Sequence, residues 1–325
     1  MSAQKSIVGL ILFARNETSY NAGAFTLSGS TDTIDTVEQP LFQQTYALEG
    51  IRGPAMFGRG QLPRVAPNVR SVNASVKIHA KGSGATYTTL VKPPNVHPFL
   101  QACGMSGSLE GGTWVYRPTP LSTVPFSLAA DVYGMSELLQ LRGGYGTFTL
   151  DLEGLLPVFN FDVQGTQSGS VSDVANSAIP ARVFQASNVI PPRLETIGLT
   201  IGAYSPKVRK IQYTHGLSIS PRMDLNASGS HAGFAIGRQD NKLTMTIEAD
   251  LLSNFDPYGD WNTAASKTIT ATVGTVANNK FTMTVNGAAL SSVVRAADGD
   301  VAMYELTYEP STAADQNTDV SFTWS

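Results

Sequence analysis

Alternation of apolar and polar residues with a period of two runs through most of this chain. It restricts the fold more than any other feature, because strands expose successive side chains on opposite faces whereas helices repeat every 3.6 residues. In residues 71–81, Val72, Ala74, Val76, Ile78 and Ala80 share one face, and Ser71, Asn73, Ser75, Lys77, His79 and Lys81 share the other. Residues 147–153 set Phe148, Leu150 and Leu152 against Thr147, Thr149, Asp151 and Glu153, and residues 242–250 set Leu243, Met245, Ile247 and Ala249 against Thr244, Thr246, Glu248 and Asp250. Similar runs lie at 195–201, 207–220, 267–273, 280–285, 301–309 and 319–324, rich in Thr, Val, Ile and aromatic residues that suit a pleated surface. Asn278-Asn279, Asn286-Gly287 and Asp298-Gly299-Asp300 fall where hairpin turns or bends are expected. The apolar run 7–14 is too short for a membrane span of about 20 residues and reads as an opening strand. A signal peptide would need to reach Ala22-Gly23-Ala24 across Arg15 and Glu17.

The expected fold class is therefore antiparallel all-β with one or two short helices. Residues 96–105 form the better helix candidate, with Pro98 in the first turn, Phe99, Leu100 and Cys103 on one face, and Gly104 as the stop. Residues 249–262 carry Leu251, Leu252, Phe255 and Trp261, but Pro257 and Gly259 interrupt them, so one short helix plus a turn is expected there. Polar residues 165–177 and the Pro191-Pro192 pair divide the chain into a first part (1–165), a linker (166–190) and a second part (191–325). A faint echo crosses this division: Phe57-Gly58-Arg59 precedes the run 71–81, and Ile236-Gly237-Arg238 precedes 242–250.

Composition narrows function. Only 14% of the 325 residues are charged, against about 25% in ordinary domains, while 42% are hydrophobic, so the chain folds with a surface of Ser, Thr, Asn, Gln and Gly. A net charge of -3 argues against a protein that binds nucleic acid by neutralising phosphates. A single cysteine rules out an intrachain disulfide framework and a cysteine-cluster metal site, and suits a reducing compartment. His79, His97, His215 and His231 have no ligand-like spacing, and Cys103 reads as a small buried hydrophobe. No nucleophile elbow, P-loop or dinucleotide fingerprint is present.

Arg142-Gly143-Gly144-Tyr145-Gly146 leads into a strand and reads as a tight turn, and Asp298-Gly299-Asp300 lacks the other ligands of a calcium loop. Asp151 and Glu153 have the i, i+2 spacing of two acids on one strand face, and a solvated face is preferred to a glycosidase pair. Lys207, Arg209 and Lys210 read as an interface or loop-end patch, and Asn16-Glu17-Thr18 matters as a glycosylation acceptor only in a secreted protein. No catalytic, cofactor-binding or metal-binding residue is assigned, and no enzyme is expected. The profile is that of a subunit working by shape and assembly.

The order of features resembles a known family. It opens with Gly9-Leu10-Ile11-Leu12-Phe13-Ala14-Arg15-Asn16-Glu17-Thr18-Ser19-Tyr20, followed by a long polar region over residues 31–70, the strand 71–78 and the Gly82-Ser83-Gly84 bend. Then come Pro98-Phe99-Leu100-Gln101-Ala102-Cys103-Gly104-Met105, Trp114-Val115-Tyr116-Arg117-Pro118, Tyr133-Gly134, the Gly-rich run 142–146 and residues 154–157. Pro191-Pro192, Arg238-Gln239-Asp240 and the closing run 301–324 continue it. In this order the chain resembles the major tail proteins, or tail tube proteins, of long-tailed bacteriophages.

That resemblance implies a β-barrel or sandwich module flanked by a helix, here carrying Phe99, Leu100 and Cys103. Such modules join into rings with one continuous inner barrel, and the rings stack into a tube through which tape-measure protein and DNA pass during ejection. One module of the family is about half this length, so two tandem modules per chain and three chains per ring are expected. Stacking maps to residues 1–8 and the loop 31–70, with Asp35, Glu38, Tyr46, Arg52, Arg59 and Arg64 as candidates. A DNA conduit should not hold DNA, so its lumen should be polar and neutral to acidic. Thr147, Thr149, Asp151, Glu153, Thr244, Thr246 and Glu248 are the lumen candidates. Further implied partners are tail-terminator and tail-tip proteins, with no membrane anchor, and the implied location is the virion tail after assembly in the host cytoplasm. The alternatives are a carbohydrate-binding β-sandwich adhesin of a virion or an outer-membrane β-barrel. The barrel would need lipid-facing aromatic girdles and a terminal aromatic residue, yet Ser325 follows Trp324.

Overall fold

The computed structural model describes residues 10–20, 26–45, 49–50, 64–65, 71–120, 123–134, 137–168, 172–174, 179–184, 188–223, 231–310 and 318–325. Strands β1 (Ile11–Asn16), β2 (Thr33–Ile34), β3 (Leu41–Thr45), β4 (Glu49–Gly50), β5 (Arg64–Val65) and β6 (Ser71–His79) precede helix α1 (His97–Ala102). Next are β7 (Met105–Glu110), β8 (Thr113–Pro118), β9 (Leu128–Gly134), β10 (Glu137–Leu152), β11 (Val158–Gln167) and β12 (Ser172–Asp173). A 3-10 turn at Leu194–Thr196 leads to β13 (Gly198–Ile201), β14 (Val208–Met223) and β15 (His231–Glu248). Helix α2 (Pro257–Thr263), β16 (Ser266–Val273), β17 (Phe281–Asp298), β18 (Val301–Pro310) and β19 (Val320–Trp324) complete the chain. The molecule is antiparallel all-β with two short α-helices among the described residues, as the period-two alternation requires.

A central sheet runs in the order β3, β6, β11, β10, β14, β15, β18, β17. Across its apolar face lies the group β13, β16, β17, β19, β8, β7, and a third group joins β2, β1, β9 and the start of β10. β10 and β17 each serve two groups. Register shifts at Leu141/Gly144 and Leu290/Ser292 mark where these strands change partner, as bulges do when a strand turns from one sheet into another. Followed from partner to partner, the pairings branch but never return to a strand already passed. The sheet is therefore open among the described residues.

Core packing joins early and late chain segments. The Phe148 and Phe322 rings lie 5.8 Å apart, Phe159 and Phe281 5.8 Å, Tyr213 and Phe322 5.5 Å, and Phe159 and Trp324 6.0 Å. The β10–β14 and β8–β19 pairings likewise connect residues before 166 with residues after 190.

Local details follow the sequence with some corrections. In α1, Phe99 and Leu100 are buried, as is Cys103 directly after it, and Phe99 packs 5.2 Å from Phe161. Pro257 does not interrupt the second helix but starts it, because a first-turn N–H has no intrahelical partner to lose. The Asp256 carboxylate caps that helix, accepting from the Tyr258 and Gly259 N–H groups at 3.1 and 3.0 Å. Asp298 pairs with Val301 around the expected two-residue turn, where Gly299 has φ of 61°. Asn286-Gly287 is no turn; it lies inside β17. Arg142-Gly143-Gly144-Tyr145-Gly146 is no turn either. It lies within β10, where Arg142 is buried and its guanidinium donates to Asp131 at 2.7 Å, supplying the charge partner a buried carboxylate needs. The polar region 31–70 holds β2 to β5, so it is not a single loop.

One wiring occurs twice. In the first half, the β3–β6 pair is followed by α1, the β7–β8 hairpin, and the β10–β11 hairpin whose second strand pairs back with β6. In the second half, the β14–β15 pair is followed by α2, the β16–β17 hairpin, and the β17–β18 hairpin whose second strand pairs back with β15. The registers correspond: Val76 pairs with Phe161 and Phe161 with Phe148, as Met245 pairs with Leu306 and Leu306 with Val293. The first half inserts β9 where the second uses one continuous strand.

Candidate functional site: the polar face of the central sheet

Strand alternation aims one set of side chains of the central sheet into the core and the other set outward. Register places the outward set in rows. One row runs Leu41, Ser75, Asp162, Thr147, and the next runs Lys77, Asn160, Thr149, Thr214, Lys242. A third runs His79, Val158, Asp151, Gln212, Thr244, Thr307. A fourth runs Lys210, Thr246, Glu305, Val294, with Glu153 ion-paired to Lys210 at 2.8 Å, and a fifth runs Glu248, Met303, Ala296. Thr147, Thr149, Asp151, Glu153, Thr244, Thr246 and Glu248, chosen from two separate runs of sequence, thus occupy one continuous face. The sequence candidates for this face do not include Asn160, Asp162, Gln212, Thr214, Glu305 or Thr307, and Lys210 reads in sequence only as part of an interface or loop-end patch, because the pattern names a strand's polar side but not its neighbours.

Fixed hydrogen bonds hold this face. The Asp151 carboxylate accepts from the Asn160 side-chain amide at 2.5 Å and from the Gln212 amide at 2.7 Å, one on each neighbouring strand. The Thr147 hydroxyl donates to the His215 carbonyl. Hydrogen bonding and charge from Glu153 hold the Lys210 ammonium above the usual lysine range. The rows carry Asp151, Glu153, Asp162, Glu248 and Glu305 against Lys77, Lys210 and Lys242, with no arginine and no Phe, Tyr or Trp among the residues just named. Such a face offers phosphate no bidentate partner and a base no ring to stack on.

The other sequence candidates have particular places. Asp35 pairs with Lys81 at 2.7 Å and Glu38 with Lys77 at 3.0 Å, so both are held against the body of the molecule. Tyr46, Arg52 and Arg59 lie outside the described residues, and Arg64 pairs through its backbone with Gly50. Lys207, Arg209 and Lys210 each have an acidic partner, Glu248, Asp298 and Glu153 respectively. Cys103 is buried, and burial pushes its thiol up.

Beneath the polar face, His215 stands where β10 meets β14. Its Nε2–H donates to the Cys103 carbonyl at 2.8 Å, Tyr213 Oη donates to its Nδ1 at 3.2 Å, and its ring stacks on Phe148 at 4.8 Å. Burial pushes His215 down to about 4, and His97, 2.8 Å from the Tyr116 hydroxyl, down to about 4 as well. His215 therefore acts as a neutral clamp between α1 and the β10–β14 seam. No protein-family model matches the chain, and no curated protein is similar to it.

Proposed function

We propose that the chain is a structural subunit that assembles head to tail into rings, and that the rings stack into the tail tube of a long-tailed bacteriophage. The observation that carries this reading is the doubled wiring on an open sheet with one continuous polar face. Two similar units already share a sheet through β10 and β14, and the sheet ends in two outer strands that invite further pairing. In the assembled ring the polar face lines the channel. Its carboxylates and hydroxyls let DNA slide without the cation and aromatic contacts that would hold it. A low charge content fits a surface that becomes subunit interface, since interface cores are depleted in charged residues. Three chains of two units each make a six-unit ring, with tape-measure protein and DNA as passengers and terminator and tip proteins at the ends.

Electron microscopy of the purified full chain at increasing concentration tests this reading. Rings or tubes with three chains per ring are expected. A monodisperse monomer at every concentration would overturn the assembly, and six chains per ring would overturn the two-unit count.

A further inference from the structure

The doubled wiring places the seam between β10 and β14 at a defined point of the repeat. In the first half β10 takes the place that residues 290–298 of β17 take in the second, and in the second half β14 takes the place that β3 takes in the first. Among the described residues, no strand pairs with the outer edge of β3 or with that of residues 290–298. We infer that these two edges are the halves of one joint: residues 290–298 of one copy pair antiparallel with β3 of the next, reproducing between chains the seam that β10 and β14 make within one. This rests on the assembly reading above and specifies which strands meet and in what register.

The register follows from correspondence. Leu150 pairs with Phe159 and Phe159 with Ile78, while Arg295 pairs with Tyr304 and Tyr304 with Ile247, so Arg295 takes the place of Leu150. Phe42 pairs with Ala74 and Tyr213 with Leu243, and Ala74 and Leu243 each stand four residues before Ile78 and Ile247, so Phe42 takes the place of Tyr213. Within the chain Leu150 faces Tyr213 and Thr149 faces Thr214. Between chains Arg295 therefore faces Phe42, Val294 faces Gln43 and Ala296 faces Leu41.

Two exposed side chains fit this register. Leu41 is 55% exposed and Val294 49% exposed, on the polar face at opposite edges of the sheet. The joint makes them diagonal neighbours, about 7 Å apart, where each covers the other. Phe42, only partly buried here, gains the cover that its counterpart Tyr213 already has. The contact is heterologous, so it does not stop at a dimer, and it closes into the ring of the tube reading when the rotation from copy to copy divides a full turn.

Paired cysteines test the joint, because residues directly opposite in a ladder come within disulfide reach. The double variant Gln43→Cys with Val294→Cys, assembled and then oxidised, is expected to give a covalent ladder ending in a closed ring of chains. Either single variant and the wrong-face pair Gln44→Cys with Val294→Cys are expected to give none, and native Cys103 is too buried to compete. Tubes that form without this cross-link, or that cross-link equally through the wrong-face pair, overturn the joint and leave the tube reading standing. Wild-type protein that never assembles overturns both. If the double variant alone fails to assemble, cryo-electron microscopy of wild-type tubes decides by showing which strand lies beside residues 290–298. Any strand other than β3 of the next copy overturns the inference.

Discussion

At the scale of single residues, the buried polar groups set both stability and its pH dependence. His97 and His215 are neutral in the folded chain at about pH 4 and above, while an unfolded histidine binds its proton near pH 6.5. As pH falls below 6.5 the unfolded state takes up protons first, so stability is full above that value and is lost progressively down to about pH 4. At 1.36 kcal/mol per unit, each histidine removes about 3 kcal/mol across that window. Thermal melts from pH 7.5 to 4 should show the midpoint dropping steeply over this range, with a shallower fall in His215→Gln; equal slopes would show that His215 does not contribute. The Arg142–Asp131 pair makes a second case. Arg142 is 1% exposed and also donates to the Ala130 and Leu141 carbonyls at 3.2 and 2.8 Å. Arg142→Met leaves the Asp131 carboxylate buried without its cation and should cost about 3–5 kcal/mol in denaturant unfolding. Adding Asp131→Asn should restore part of that loss. If the double variant is no more stable than the single one, the charge pairing is not what holds the site.

At the scale of elements, the decisive features are the strands that change partner. Alternation made β6, the last half of β10, β14 and the last part of β15 readable in sequence, because each buries one face and a one-residue slip would turn the apolar set outward. Alternation says nothing about which strand lies beside which. The seam from Phe148 to His215 and the doubling of β10 and β17 across two groups of strands were therefore invisible before folding. The Gly-rich run 142–146 misled for a related reason: glycines that permit a turn also permit backbones to approach closely at a crossing. Gly146 is such a point. A Cβ there would lie 2.7 Å from the Asp162 carbonyl oxygen and 2.8 Å from Val163 Cγ2, with Cys103 Sγ at 3.2 Å. Gly146→Val should therefore force β10 away from β11 and α1 and cost at least about 2 kcal/mol. Because the displaced segment adjoins the seam, assembly should fail at temperatures where the chain is still folded. Circular dichroism melts run beside light scattering check this; unchanged melting would remove the close approach as a constraint.

At the scale of the whole molecule, the open sheet matters because, in the proposed tube, its polar face lines a channel only once copies join. On that face Asp151 is braced by Asn160 and Gln212 and Glu153 is paired with Lys210, so the acids are fixed in place. In the proposed tube their effect on DNA is collective: repeated around every ring and along every stack, even a modest excess of acid over base would repel phosphate along the whole path. Replacing Asp151 with Asn and Glu153 with Gln removes two negative charges per chain and unmasks Lys210 once in every chain of the tube. Neither position lies on β3 or in residues 290–298, so tubes should still form. Short duplex DNA should pass the variant tubes more slowly and sediment with them at low salt, and it should be released at 0.3 M salt, where screening shortens the range of charge to a few ångströms. Wild-type tubes should retain none at either salt. Equal retention by both would show that the polar face does not line the conduit. Loss of tube formation in the variant would instead place these carboxylates in the contacts between subunits.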